Sequence, residues 1–139
     1  MSSGIESKMI NLGQFFDDKT QCFVPDFQRD YGWAEEQIDE LWTDIVNTID
    51  EDRIEHFLGA IVVNSENQRR MLIDGQQRIA TISILMCVFR DLFIDYGDNE
   101  RSRIVENNYI STSDLETTDK MAKLELNELN NPFYKDTFI

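Results

Sequence analysis

Two short runs carry most of the chemical potential in this 139-residue chain. The first is Leu72-Ile73-Asp74-Gly75-Gln76-Gln77-Arg78, where an apolar strand-like segment passes through one glycine into a helical pattern. A glycine at such a junction lets main-chain N–H groups come close to an anion, and the helix start adds unpaired donors and the positive end of the dipole. Arg78 can offer a planar, permanently charged fork to a phosphate. Asp74 can hold a metal-bound water, a ribose hydroxyl or Arg78 itself. The competing reading is structural: a tight turn with Asp74 as N-cap, paired to Arg78. One glycine is a weaker signal than a P-loop, and spacing alone leaves both readings open.

The second run is Pro25-Asp26-Phe27-Gln28-Arg29-Asp30-Tyr31-Gly32-Trp33. Aromatic faces stack on bases, and Gln and Arg side chains pair with base edges or phosphates. Phe27, Tyr31 and Trp33 can equally staple the next helix to the core, with Arg29 bonded to nearby acids. Other candidates are poorer. His56 is the single histidine, which excludes a two-histidine metal site or an HNH nuclease centre built by this chain alone. Cys22 and Cys87 are 65 positions apart and read as buried thiols, not a metal pair or a disulfide framework. No serine or cysteine lies in a nucleophile motif.

The elements that must position these runs are legible to different degrees. Residues 11–18 read as a short helix capped by Asn11. Cys22, Phe23 and Val24 read as a strand ending at Pro25. Ile38, Leu41, Trp42, Ile45, Val46 and Ile49 repeat at helical spacing, predicting a helix over residues 34–50. Residues 57–63 and 69–73 read as a hairpin joined by a polar turn at 64–68. The helix that follows, residues 77–96, is apolar almost all round and is stopped by Gly97, so it should be the central helix of the core. Together these predict an α/β domain with a small mixed sheet.

Beyond Gly97 the pattern fades. A helical turn pair is expected near residues 103–109 and a strand at 123–126. Asn131 followed by Pro132 predicts a helix over 132–139 with Asn131 as its cap. That helix stops while still apolar, so the chain is expected to be the N-terminal piece of a longer protein. Residues 1–97 are read as the core and 98–139 as an insert leading into a further strand and helix.

With 27 acidic and 13 basic residues, the net charge is −14. That argues against a free-standing nucleic-acid binder, since phosphate contacts need clustered cations. Acids are densest in the first fifty residues. Without a secretory segment or an apolar run of bilayer length, a cytoplasmic setting and no membrane partner are expected.

In their order, VPDFQRDYGW, HFLGAIVV and IDGQQRIATISILM resemble the DUF262 family. That family includes the N-terminal domain of GmrSD-type, modification-dependent restriction endonucleases and the phosphorothioate-sensing Ssp-type defence NTPases. The resemblance covers residues 12–92 well and continues weakly to the end. It implies a ParB/sulfiredoxin-like α/β fold with a central buried helix. It also implies that the DGQQR turn binds and hydrolyses a nucleoside triphosphate with Mg²⁺. Carried over, Asp74, Gln76, Gln77 and Arg78 are the candidate catalytic residues, with Asp74 at the metal. Gly75, Arg78, Thr81, Gln28 and Arg29 would contact nucleotide, while Phe27, Gln28, Tyr31 and Trp33 would sense DNA or another ligand.

The chain departs from the family at Asp30, where a proline is usual, and at Ile79-Ala80, where leucine-threonine is usual. The first adds a negative charge beside Arg29, and the second removes a hydroxyl near the phosphates. The family's HNH nuclease domain would lie C-terminal and is not in this chain, so DNA would be met through the full-length protein. A ParB-like module that senses modified DNA or a partner and hydrolyses nothing is the alternative. A toxin-like or regulatory role is a third.

Overall fold

In the computed structural model, which describes residues 9–17, 20–26, 31–51, 59–66 and 69–139, the first element is a short helix, α1 (Leu12–Asp17). Asn11 Oδ1 accepts from the Gln14 N–H at 2.8 Å, and Gln14 Oε1 accepts from the Asn11 N–H at 2.9 Å. This reciprocal capping lets so short a helix form. It buries Phe15 and Phe16. There follow β1 (Cys22–Phe23), α2 (Glu35–Asp50), β2 (Val62–Glu66), β3 (Arg69–Asp74) and α3 (Gln76–Asp95). The remainder is α4 (Asn99–Val105), a π-helical turn (Glu106–Ile110), β4 (Ser111–Ser113), β5 (Lys120–Ala122), β6 (Leu124–Glu125) and α5 (Asn131–Phe138).

The fold is mixed α/β. Four strands form the main sheet in the order β2-β3-β1-β6, and β4 pairs with β5 in a separate ribbon. β1 runs parallel to both β3 and β6, whereas β2 is antiparallel to β3 at the edge. The sheet is therefore mixed, as expected. The core gathers Phe15, Phe16, Cys22, Val24, Leu41, Leu72, Ile79, Ala80, Ile82 and Leu124. Among the described residues no helix is long and apolar enough to cross a membrane.

Several expected boundaries move. Of the strand expected over 57–63, residues 57–58 lie outside the described residues and 59–61 precede β2, while Asn64, Ser65 and Glu66 pair with Met71, Arg70 and Arg69. Polar residues fit there because β2 is an edge strand whose residues 62–65 face solvent. Residues 64–66 of the expected turn thus belong to β2, and residues 67–68 lie outside the described residues. α3 is buried on every side from Gln77 to Ser83 apart from half-buried Arg78, but Val88, Leu92 and Ile94 are exposed. Its central role thus belongs to its first half. The stripe on α2 is likewise only partly covered: Leu41 is buried, while Trp42 and Ile49 are exposed.

Asn131 does not cap α5. Its Oδ1 accepts from the Leu126 N–H at 3.0 Å, and the N-cap position falls to Asn130, which makes no side-chain cap. The main-chain donor at the end of β6 captures the amide first. Residues 98–139 supply β6 to the main sheet, and α4 packs on α3.

Candidate functional site

Because β3, β1 and β6 are parallel, their carboxyl ends open on one edge of the sheet. The chain passes from β1 to β3 on one side, then returns through α3 past β1 to β6 on the other. The direction of winding therefore reverses between β1 and β6, which is where open α/β sheets leave a crevice for ligands. A small cleft, with a volume of about 10 Å³, lies there, lined by Val24 after β1, Gln76 and Gln77 at the start of α3, Leu126 and Asn127 after β6, and Tyr31.

Gly75 makes the passage from β3 into α3 possible. Its φ of 85° is left-handed, and a Cβ at this position would lie 2.5 Å from Ile61 Cγ2. Only glycine fits both requirements. Asp74 is not the N-cap, contrary to the structural reading of this turn. Its Oδ1 accepts from the Gly75 N–H at 3.0 Å, and Gly75, which has no side chain to cap with, is the N-cap residue. Nor does Asp74 pair with Arg78 among the described residues. The Arg78 guanidinium instead lies over the Trp33 ring, 5.9 Å from its centroid. It fills the space that a side chain on Gly59 would need. Gly59 was not singled out in the sequence, although a glycine inside an apolar run is a signal of close approach.

Residues 31–33 of the aromatic run meet this same turn. The Gly32 N–H donates to Gln77 Oε1 at 2.6 Å, and the Tyr31 hydroxyl lies 2.7 Å from Thr81 Oγ1. Thr81 Oγ1 itself donates to the Gln77 carbonyl at 2.8 Å. Tyr31, Trp33, Gly75, Gln76, Gln77, Arg78 and Thr81 are thus neighbours, although nearly forty positions separate the two runs. Phe27, Gln28 and Arg29 lie outside the described residues, as does His56. Among the described residues no cluster of three or more His, Cys, Asp or Glu side chains could hold a metal. Asp74 alone would serve Mg²⁺ as one carboxylate beside substrate phosphates, which is how Mg²⁺ is usually held.

With this arrangement in view, a family profile described as the N-terminal domain of the GmrSD restriction endonuclease matches residues 12–138. The chain belongs to this family. The match takes in the aromatic run, the glycine turn and β6, so the GmrSD-type N-terminal domain spans both the sheet edge and its cleft. No curated protein matches the chain. Family membership makes it a module of the restriction or defence type, with DNA and a nuclease domain as its context.

Proposed function

We propose that this GmrSD-type domain binds a nucleoside triphosphate with Mg²⁺ at the glycine turn and hydrolyses it, within a modification-dependent restriction or phage-defence protein. The observation that carries the reading is the state of Arg78 beside Gly75. Arg69, Arg90 and Arg101 end on carboxylates, and Arg70 donates to the main-chain carbonyls of Phe15 and Thr20. Arg78 rests on an aromatic face. Leaving that face costs about 0.5–1 kcal/mol at a partly exposed site. A charge-assisted hydrogen bond to phosphate returns about 1.5–3 kcal/mol. The balance favours transfer of the guanidinium to an incoming anion. The start of α3 turns its main-chain N–H groups to the same side, and Gly75 lets the ligand approach them.

Bound Mg²⁺ would supply charge neutralisation, which matters in a chain of net charge −14. Asp74 would orient that ion or the attacking water. Arg78 would hold the phosphates. Hydrolysis itself rests on the resemblance of the DGQQR turn to that of the family's NTPases. DNA would be met elsewhere in the full-length protein, since this charge opposes phosphate contacts.

The test is calorimetry of the chain with Mg²⁺ and each of ATP, GTP, CTP and UTP. One should bind, and Arg78→Ala should weaken it by about 1.5–3 kcal/mol. Asp74→Asn should lower turnover more than affinity. Silence with all four nucleotides, in the folded full-length protein as well as this chain, would overturn the reading and leave a sensing module without nucleotide.

A further inference from the structure

Gln77 and Thr81 face the aromatic segment, and a side-chain oxygen of each is already bonded to it. Each residue is 8% exposed. Thr81 Oγ1 donates its one proton to the Gln77 carbonyl, so at 2.7 Å it must accept from the Tyr31 hydroxyl. That leaves no hydroxyl proton for a phosphate. Gln77 turns its amide oxygen to the Gly32 N–H at 2.6 Å. Trp33 is the next residue, and its ring carries Arg78.

From this geometry we infer that Gln77 and Thr81 are positioning residues: they strap residues 31–33 onto the first turns of α3 so that Trp33 forms one wall of the anion site and holds Arg78 in reserve. The inference rests on the nucleotide reading only for its effect on affinity. Two straps, one through a main-chain N–H and one through a phenol, fix the segment in both position and orientation. A ligand that draws Arg78 away then leaves the Trp33 face bare, so the indole registers occupancy of the turn. The two runs become one device, in which the second supplies the wall and the first the donors.

The experiment has two arms. The chain has two tryptophans, and Trp42 lies on α2 outside the site, so a Trp42→Phe background makes Trp33 the only indole. In that background, without nucleotide, Tyr31→Phe and Thr81→Val should each raise acrylamide quenching of Trp33. The double variant should go no further than either single one, because both remove the same bond. Gln77→Leu should raise quenching too, whereas Gln77→Glu, which keeps an acceptor oxygen for Gly32, should restore it. Unchanged quenching in Tyr31→Phe and Thr81→Val, with folded circular dichroism spectra, would overturn the straps whatever the ligand.

The second arm measures affinity for the Mg-nucleotide that binds the wild type. Tyr31→Phe and Thr81→Val should each weaken it about three- to tenfold, as expected for one neutral hydrogen bond, again without addition. A further tenfold loss on adding Thr81→Val to Tyr31→Phe would show that Thr81 touches the ligand, and would refute its positioning role. If no nucleotide binds while the quenching pattern appears, the straps stand and the nucleotide reading fails.

Discussion

Gly75→Ala should be among the most damaging single-methyl additions in this chain. Two separable terms contribute. The φ of 85° places any L side chain in left-handed backbone, worth about 1–2 kcal/mol. The new Cβ would sit 2.5 Å from Ile61 Cγ2 and 3.4 Å from the Ala60 carbonyl oxygen, so the segment before β2 must move. Overpacking of this kind costs about 1–3 kcal/mol. The sum is about 2–5 kcal/mol against a typical total stability of about 5–15. Gly97→Ala is the internal control: its φ is 79°, yet nothing lies within 4 Å of the added atom. It should cost the backbone term alone. With a urea slope of about 2 kcal/mol/M, the midpoint should fall by about 1–2.5 M for Gly75→Ala and 0.5–1 M for Gly97→Ala. Removing the obstacle in Gly75→Ala/Ile61→Ala should recover part of the difference, giving a coupling of about 1 kcal/mol. Equal midpoint losses for the two glycines, or strict additivity with Ile61→Ala, would refute the close approach at the turn.

Two further outcomes follow from the polar contacts that hold α3 farther along. Burial pushes the Glu106 carboxyl up, but hydrogen bonds from Ser111 and Arg90 and the charge of Lys120 outweigh it and hold the group below its ordinary value of 4.5. A depressed folded pKa gives stability that is complete above the unfolded value and is lost as pH falls through the folded one. Glu106→Gln should therefore cost about 1.5–3 kcal/mol at pH 7 in urea titrations, and the gap to wild type should close below about pH 4.5. In the buried pair Ser83–Tyr134, the oxygens lie 2.6 Å apart. Tyr134→Phe should cost about 1–3 kcal/mol because Ser83 is left unsatisfied, while Ser83→Ala/Tyr134→Phe should cost less than the single change. A double variant worse than Tyr134→Phe would show that the pair is not the source of the loss.

What the sequence made legible was what local chemistry decides. Asn11 capped its helix, Gly97 followed the end of α3, and Gly75 marked the strand-to-helix turn, because each depends on neighbours a few positions away. β4 was not legible: Ser111-Thr112-Ser113 has no apolar alternation, and it pairs with β5 only across a turn organised by Asp114. Asn131 was misassigned for a related reason, since its partner Leu126 sits at the end of β6 and not in the helix it precedes. For the site, residue types pointed to the two runs, but spacing could not tell ligand contacts from mutual ones. Gln77 and Thr81 look like phosphate ligands when read along the chain. The Gly32 N–H and the Tyr31 hydroxyl, which engage them, come from more than forty positions upstream.

The fold separates what presents α3 from what acts at its start. From Arg90 onward the helix is fixed by charge: Arg90 bonds Glu106 at 2.9 Å and also reaches the Phe138 carbonyl, and Lys120 joins Glu106 at 3.3 Å. Ser83 and Tyr134 pin its middle. None of these groups lines the cleft at the carboxyl ends of β1 and β6. Anchoring a 20-residue helix over its central and distal turns aims its first turn without drawing on the residues there. It follows that variants at Arg90, Glu106 or Ser83 should lower stability while leaving the affinity of the folded fraction unchanged. Variants at Tyr31 or Thr81 should do the reverse, because their bond stabilises a wall of the site and not the seat of the helix. A common dependence of stability and affinity across both groups would mean that the first turn of α3 has no independence from the rest of the helix.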